Sequence, residues 1–274
     1  MKKVLLVSGC SFTDSNYISS YYPDMDCSWP KWPEVLAEKL DMECINLARN
    51  GGGNEYIYSS LFDEITNRST LPDRIGLVIA SWSQCQRVDY QLESHGRWHG
   101  SRYNDKGDIF GWVRKSLRLF KQLEILCENY NLPLLQFQMI NLFMDTLDGL
   151  KYSDAEVVRN PDLAGKRHPY DGDYDEDRRK IIKLIDDCNV KNFVGWPIYT
   201  RPESAHLWVD DKDVGFTVEQ KILRHPKSPE NESLPFIKRL YLERLIDEND
   251  RHPNKLGHEK IAEFLYDTIK SKKN

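Results

Sequence analysis

Hydrophobic and polar positions exchange two periods along the first half of the chain, one of strands and one of helices. Residues 3–8 read Lys-Val-Leu-Leu-Val-Ser and stop at Gly9, the pattern of a buried parallel strand covered on both faces. Trp32, Val35, Leu36 and Leu40 recur at helical spacing and lead through Asp41 into a second strand, Glu43 to Leu47. Asn50-Gly51-Gly52-Gly53 then breaks the chain, and Asn54 stands where it can cap a helix whose Ile57, Leu61 and Ile65 lie four apart. A third strand, Ile75 to Ser81, follows the turn at Pro72-Asp73. Residues 84–108 are polar and aromatic without a clean period. Val113, Leu117, Phe120, Leu123 and Cys127 mark a long amphipathic helix, and Leu132 to Ile140 reads as the next strand, with Pro133 tolerated near its start.

The second half is sparser. Residues 146–172 are irregular, after which Asp173, Asp175, Glu176 and Asp177 precede Arg178, Arg179 and Lys180, the order a helix dipole favours. Asn192 to Gly195 predicts a last short strand, Pro197 to Pro235 a lid, and Ile237, Leu240, Tyr241 and Leu245 a helix; a terminal helix carries Ile261, Leu265 and Ile269. The alternation predicts a three-layer α/β/α sandwich with a mainly parallel, flavodoxin-like sheet. We read 1–274 as one domain with lid insertions at about 84–108, 146–172 and 197–235.

Composition narrows the function classes. With 38 basic and 43 acidic residues the net charge is -5, so no global positive field gathers nucleic acid or anionic lipid. Apolar runs fall short of the roughly 20 residues of a membrane helix, and the run after Lys2-Lys3 is too short for a secretory signal. Six cysteines lack any C-x-x-C pair, against a zinc site or a disulfide framework, and imply reduced thiols in a cytoplasmic protein. Asp171-Gly172-Asp173-Tyr174-Asp175 imitates a calcium loop, but Glu176 stands where glycine is needed and Ile182 where the bidentate glutamate belongs. No metal or cofactor is expected.

Chemistry in such sheets gathers in loops at the carboxyl ends of strands. Four segments hold that position or its equivalent. Gly9-Cys10-Ser11-Phe12-Thr13 offers a serine able to project into the crevice, or alternatively to cap the next helix. Asn46 to Asn54 exposes backbone N–H groups, and Ser81-Trp82-Ser83-Gln84 places hydroxyl and amide donors at a strand end. Asn249 to His258 includes His252 two residues after Asp250, where a carboxylate can orient an imidazole as a general base requires. Cys10 is a competing nucleophile, but adjacent residues leaving a strand point in different directions. The aromatic residues Trp98, His99, Tyr103 and Trp112, and later Trp196 and Trp208, either pack the insertions or stack on sugar rings, with packing favoured.

Taken together, these blocks resemble the SGNH (GDSL) hydrolase family. There a serine follows strand one in Gly-Asp-Ser, a glycine follows strand two, an asparagine follows strand three, and Asp-x-x-His precedes the last helix. Gly9-Cys10-Ser11-Phe12 matches the first block with Cys10 for aspartate, and Asn46-Leu47-Ala48, Gly51 and Asn54 match the second. His252-Pro253-Asn254, Gly257-His258 and Ile261-Ala262 match the last, with Asp250 as orienting acid and Asp247 as fallback. The third block departs: Ser81-Trp82-Ser83-Gln84 replaces Gly-x-Asn-Asp.

The resemblance implies cofactor-free hydrolysis of an acyl ester, with acetyl esters of a carbohydrate or small metabolite as the expected substrates. Ser11 is the expected nucleophile, His252 the base and Asp250 its orienting acid. Ser11 and Gly51 N–H groups with the Ser83 side chain form the expected oxyanion hole, and Asn54, Trp82 and Arg87 the expected substrate contacts. Two other classes compete: a binding or structural module that keeps the fold with a weakened site, and a nucleotide-binding domain using the glycine run as a phosphate cradle. The latter lacks a P-loop lysine and any G-x-G-x-x-G after strand one.

Overall fold

Strand β1 (Val4–Ser8) is buried along its whole length, because alternate residues enter two different cores. Val4 and Leu6 join one cluster and Leu5 and Val7 the other. This computed structural model describes residues 2–19, 22–67, 72–92, 97–101, 107–140, 142, 180–181, 183–196, 198, 218 and 252–272. The insertion 146–172, most of the lid, the acidic run 173–177 and the segment from Ile237 to Leu245 lie outside them.

Around β1 the sheet adds β2 (Glu43–Asn46), β3 (Ile75–Trp82), β6 (Leu134–Gln138) and β7 (Phe193–Val194), in the order β2-β1-β3-β6-β7. Every pairing in this sheet is parallel. The sheet is therefore the mainly parallel, flavodoxin-like one expected, and its direction of growth reverses between β1 and β3, the switch point beside which such sheets bind their ligands. Helices α2 (Asn54–Asn67) and α3 (Ile109–Asn129) cover one face, with Ile57, Leu61, Val113 and Phe120 packed against Val78, Ala80 and Trp82. On the other face α1 (Trp32–Lys39) and the terminal helix α4 (Lys255–Ser271) place Trp32, Leu36, Ile261 and Leu265 against Leu77, Ile79 and Phe137.

Two expectations change. Residues 84–108 hold an antiparallel hairpin, β4 (Val88–Leu92) and β5 (Arg97–Ser101), where an aperiodic insertion was expected. Val88, Tyr90 and Leu92 do alternate with Asp89 and Gln91, so a short strand period is present within the polar run. Trp82, expected at the substrate, is a core residue. Period two puts it on the face of Val78 and Ala80, where its ring lies 4.5 Å from that of Phe120 and its Nε1 donates to Gln136 Oε1 at 3.1 Å.

The packing of α1 on α4 contains a buried histidine. The Trp32 N–H, one of the amides that the first turn of a helix cannot satisfy internally, donates to His258 Nδ1 at 3.2 Å. Burial, with smaller contributions from Lys31 and His252, pulls the His258 pKa down from 6.5 to about 3. The fold thus favours neutral His258. Its contribution to stability is complete above about pH 6.5 and is lost as pH falls toward about 3. His258→Gln, which keeps an acceptor for Trp32 but cannot titrate, should flatten the fall in melting temperature between neutral and mildly acidic pH, as measured by thermal melts of both proteins. Equal slopes would assign the acid sensitivity to other groups.

Candidate active site

The chain leaves β1 through a tight turn in which Cys10 O accepts from Thr13 N–H at 2.8 Å and Asp14 N–H at 3.1 Å. Gly9 is required by close approach: a Cβ there would lie 2.5 Å from Thr13 Oγ1 and 3.0 Å from Ser81 Cβ. Thr13 Oγ1 also donates to Ser81 Oγ at 3.0 Å, tying the turn to the end of β3. Cys10 is fully buried among the residues packed by α1 and α4. Ser11 points elsewhere, and its Oγ lies 2.9 Å from His252 Nε2. Residues 241 positions apart thus share one hydrogen bond.

His252 stands just ahead of α4, whose N-cap is Asn254, its side chain accepting from Gly257 N–H at 2.9 Å. The half-buried imidazole is flanked by residues of the segment that carries Ser11. Phe12 makes a tilted ring contact at 4.9 Å, Tyr17 stacks at 4.3 Å, and the Tyr17 hydroxyl lies 2.9 Å from His252 Nδ1. Asp250 and Asp247, expected to orient this ring, lie outside the described residues.

The glycine loop after β2 is strapped to the same turn. Arg49 N–H donates to Gly9 O at 3.1 Å, Asn50 N–H to Asp14 Oδ2 at 2.7 Å, and Asn46 Nδ2 to Thr13 O at 2.7 Å. From the other side the hairpin grips it: Arg87 donates to Gly52 O at 2.9 Å, while Asp89 accepts from Gly53 N–H at 2.9 Å and Tyr56 N–H at 3.1 Å. The amides of Ala48, Arg49, Asn50, Gly52 and Gly53 are all consumed. Among the described residues, those of Gly51 and Ser11 are not. Gly51 has φ +78°, a conformation that strains any residue with a Cβ, and open space beside its Cα. Two donors without a partner among the described residues therefore stand on loops that are fastened together, one of them the amide of Ser11.

The remaining expected site residues occupy supporting positions. Asn54 is nearly fully buried, accepting from Ser83 N–H at 2.7 Å and donating to Ser116 Oγ at 3.0 Å. Its side chain joins α2, α3 and the end of β3, and the capping expected of it falls to Asp89. Arg87 likewise holds Gly52. Ser83 is fully buried, its carbonyl accepting from Gln138 Nε2 at 2.7 Å, and its hydroxyl has no partner among the described residues. No group of three or more His, Cys, Asp or Glu side chains among the described residues is arranged to hold a metal. Sequence reasoning missed Tyr17, Asp14 and Asp89, none of which belongs to a motif.

Asp89 is the costly part of this arrangement. Burial raises its carboxyl pKa, and the amides of Gly53 and Tyr56 act against that rise. Asp89→Asn offers one acceptor where two amides need one, so an N–H at the start of α2 loses its partner. We expect a loss of about 1–3 kcal/mol, read from the midpoint of urea unfolding. An unchanged midpoint would mean that solvent replaces the lost contact.

Comparisons with known proteins complete the picture. No family model matches the chain, and no curated protein matches it. Among solved structures it is similar to a protein assigned to the G-D-S-L family of lipolytic proteins from Desulfitobacterium hafniense DCB-2, at 14% identity and TM-score 0.43 over 97% of this chain and 99% of that one. It is also similar to the psychrotrophic esterase EstA from Pseudoalteromonas sp., at 11% identity and TM-score 0.46 over 98% and 97%. A third is the acetyl xylan esterase AlAXEase, at 14% identity and TM-score 0.40 over 97% and 99%. At these identities and TM-scores the chemistry has to be argued from the site's own atoms.

Proposed function

We propose that the chain is a serine esterase of SGNH type, formed as one domain, that cleaves acyl esters through an acyl-serine intermediate. The observation that carries the reading is the 2.9 Å contact between Ser11 Oγ and His252 Nε2 at the carboxyl end of β1. A hydroxyl held against an imidazole nitrogen has its general base in place. Ser11 Oγ attacks the ester carbonyl as its proton passes to Nε2, and the carbonyl π electrons move to oxygen. The Ser11 and Gly51 N–H groups receive that developing charge. Protonated His252 then gives its proton to the departing alkoxide, and a water repeats the sequence to release the acid.

The substrate proposed is an acetyl or other short acyl ester of a carbohydrate or small metabolite. What supports a small acyl group is local: Ser11 is only 7% exposed, beside the His252 ring that Phe12 packs against. A second reading, a binding module with weak catalysis, is favoured by one observation: the Ser83 hydroxyl, replacing the asparagine donor of the family, is enclosed.

A reactive phosphonate ester probe tests the reading. It should phosphonylate the wild type at Ser11, located by peptide mass spectrometry, and leave Ser11→Ala unlabelled, with turnover of a generic acetyl ester falling at least about a thousandfold in that variant. Labelling at another residue, or none, would sink it.

Ser83 separates the two readings by a different measurement. A buried hydroxyl without a partner costs stability, so Ser83→Ala should unfold at equal or higher denaturant concentration than the wild type. If the hydroxyl donates only to the transition state, kcat should drop as well while KM holds. An unchanged kcat leaves the backbone amides as the oxyanion donors.

A further inference from the structure

We infer that Tyr17 is a positioning residue for His252, its phenolic oxygen accepting the Nδ1 proton and so holding the imidazole in the tautomer whose Nε2 lone pair faces Ser11. This rests on the reading of Ser11 as nucleophile. The first observation is the 2.9 Å separation between Tyr17 Oη and His252 Nδ1. The second, independent of it, is the stacking of the two rings at 4.3 Å between centroids and 28° between planes. Tyr17 is only 6% exposed and is anchored to the nucleophile's turn by its own N–H, which donates to Asp14 O at 3.2 Å. Asp14 in turn fastens the glycine loop through Asn50 N–H. One short segment therefore carries the nucleophile, the ring that orients its base and the strap for the Gly51 donor.

The tautomer argument follows from counting protons. Neutral imidazole carries one N–H, and the nitrogen without it is the only one that can accept. For His252 to take the Ser11 proton, Nε2 must be bare and Nδ1 must be protonated, and an Nδ1–H facing Tyr17 is fixed there by an acceptor. The phenolic oxygen offers lone pairs at hydrogen-bond distance. During attack the Ser11 O–H bond breaks and an Nε2–H bond forms; the Nδ1 proton stays on nitrogen and Tyr17 keeps its own. The imidazolium so formed lies against the negative face of the Tyr17 ring, which attracts cations. His258, on α4, interacts electrostatically with His252 and is held neutral at ordinary pH, so it adds no opposing charge.

Tyr17→Phe removes one oxygen and keeps the stacked ring. In full-length protein labelled with 15N at histidine, long-range proton–nitrogen correlation spectra report which nitrogen of His252 carries the proton, without any turnover. The wild type should show the Nδ1–H form, and Tyr17→Phe should move the population toward Nε2–H. On an acetyl ester substrate kcat should fall about tenfold with KM within about twofold of the wild type, and the melting temperature should hold. An Nδ1–H signal unchanged in Tyr17→Phe but lost in Asp250→Asn would overturn the inference, as would a wild-type ring protonated at Nε2. An enzyme silent on every ester sinks the esterase reading while the nitrogen spectra still decide the role of Tyr17.

Discussion

One hydrogen bond, between Ser11 and His252, makes the largest demand on this fold. A loose surface contact over such a sequence separation would not hold two side chains to one geometry, because the chain entropy of bringing distant residues together has to be recovered by packing. The recovery lies behind the site. β1 ends at the turn of Ser11, α4 begins just after His252, and both are locked into the same hydrophobic layer through Trp32, Leu36, Ile261 and Leu265. The reactive pair is therefore precise because the elements behind it are dry and close-packed.

The second demand is on the glycine loop, a stretch of backbone with little side-chain packing of its own. Polar groups from two directions hold it. Asp14 belongs to the turn that carries Ser11, while Arg87 and Asp89 belong to the segment inserted after β3. A donor that must point at a developing charge is useful only if it does not reorganise during the reaction. The hairpin thus acts on the site at a distance, by holding both polar ends of the Gly52–Gly53 peptide, just after Gly51. Asn54 performs the same service one step further back, joining the first residue of α2 to Ser83 and Ser116.

Much of this could be read from sequence, and the part that could not has a physical reason. The strands and helices covering the sheet announce themselves because their burial is periodic: Val4 to Val7 on two faces, Ile57, Leu61 and Ile65 on one. The turn carrying Ser11, the Gly51 bend and the cap at Asn254 were legible because each needs a particular residue type at a particular offset. The polar loop that follows Trp82 masks the strand register it shares with Val78 and Ala80, which puts its ring in the core. Asn54 was credited with a cap that Asp89 supplies, since the contact depends on where the hairpin folds back and not on local sequence. Tyr17 had no signature at all. A single aromatic residue in an aperiodic loop becomes meaningful only when the end of the chain folds over it.

The long reach from Ser11 to His252 also sets an order of events during synthesis. Ser11, β1 and the glycine loop leave the ribosome first, and His252 follows 241 residues after Ser11. At bacterial and eukaryotic elongation rates that gap is on the order of tens of seconds. During that interval the growing polypeptide displays Ser11 without the imidazole it will contact, and part of one core layer waits for α4. A chain cut short before His252 and α4 therefore lacks at once the partner of the Ser11 hydroxyl and the helix that closes that layer.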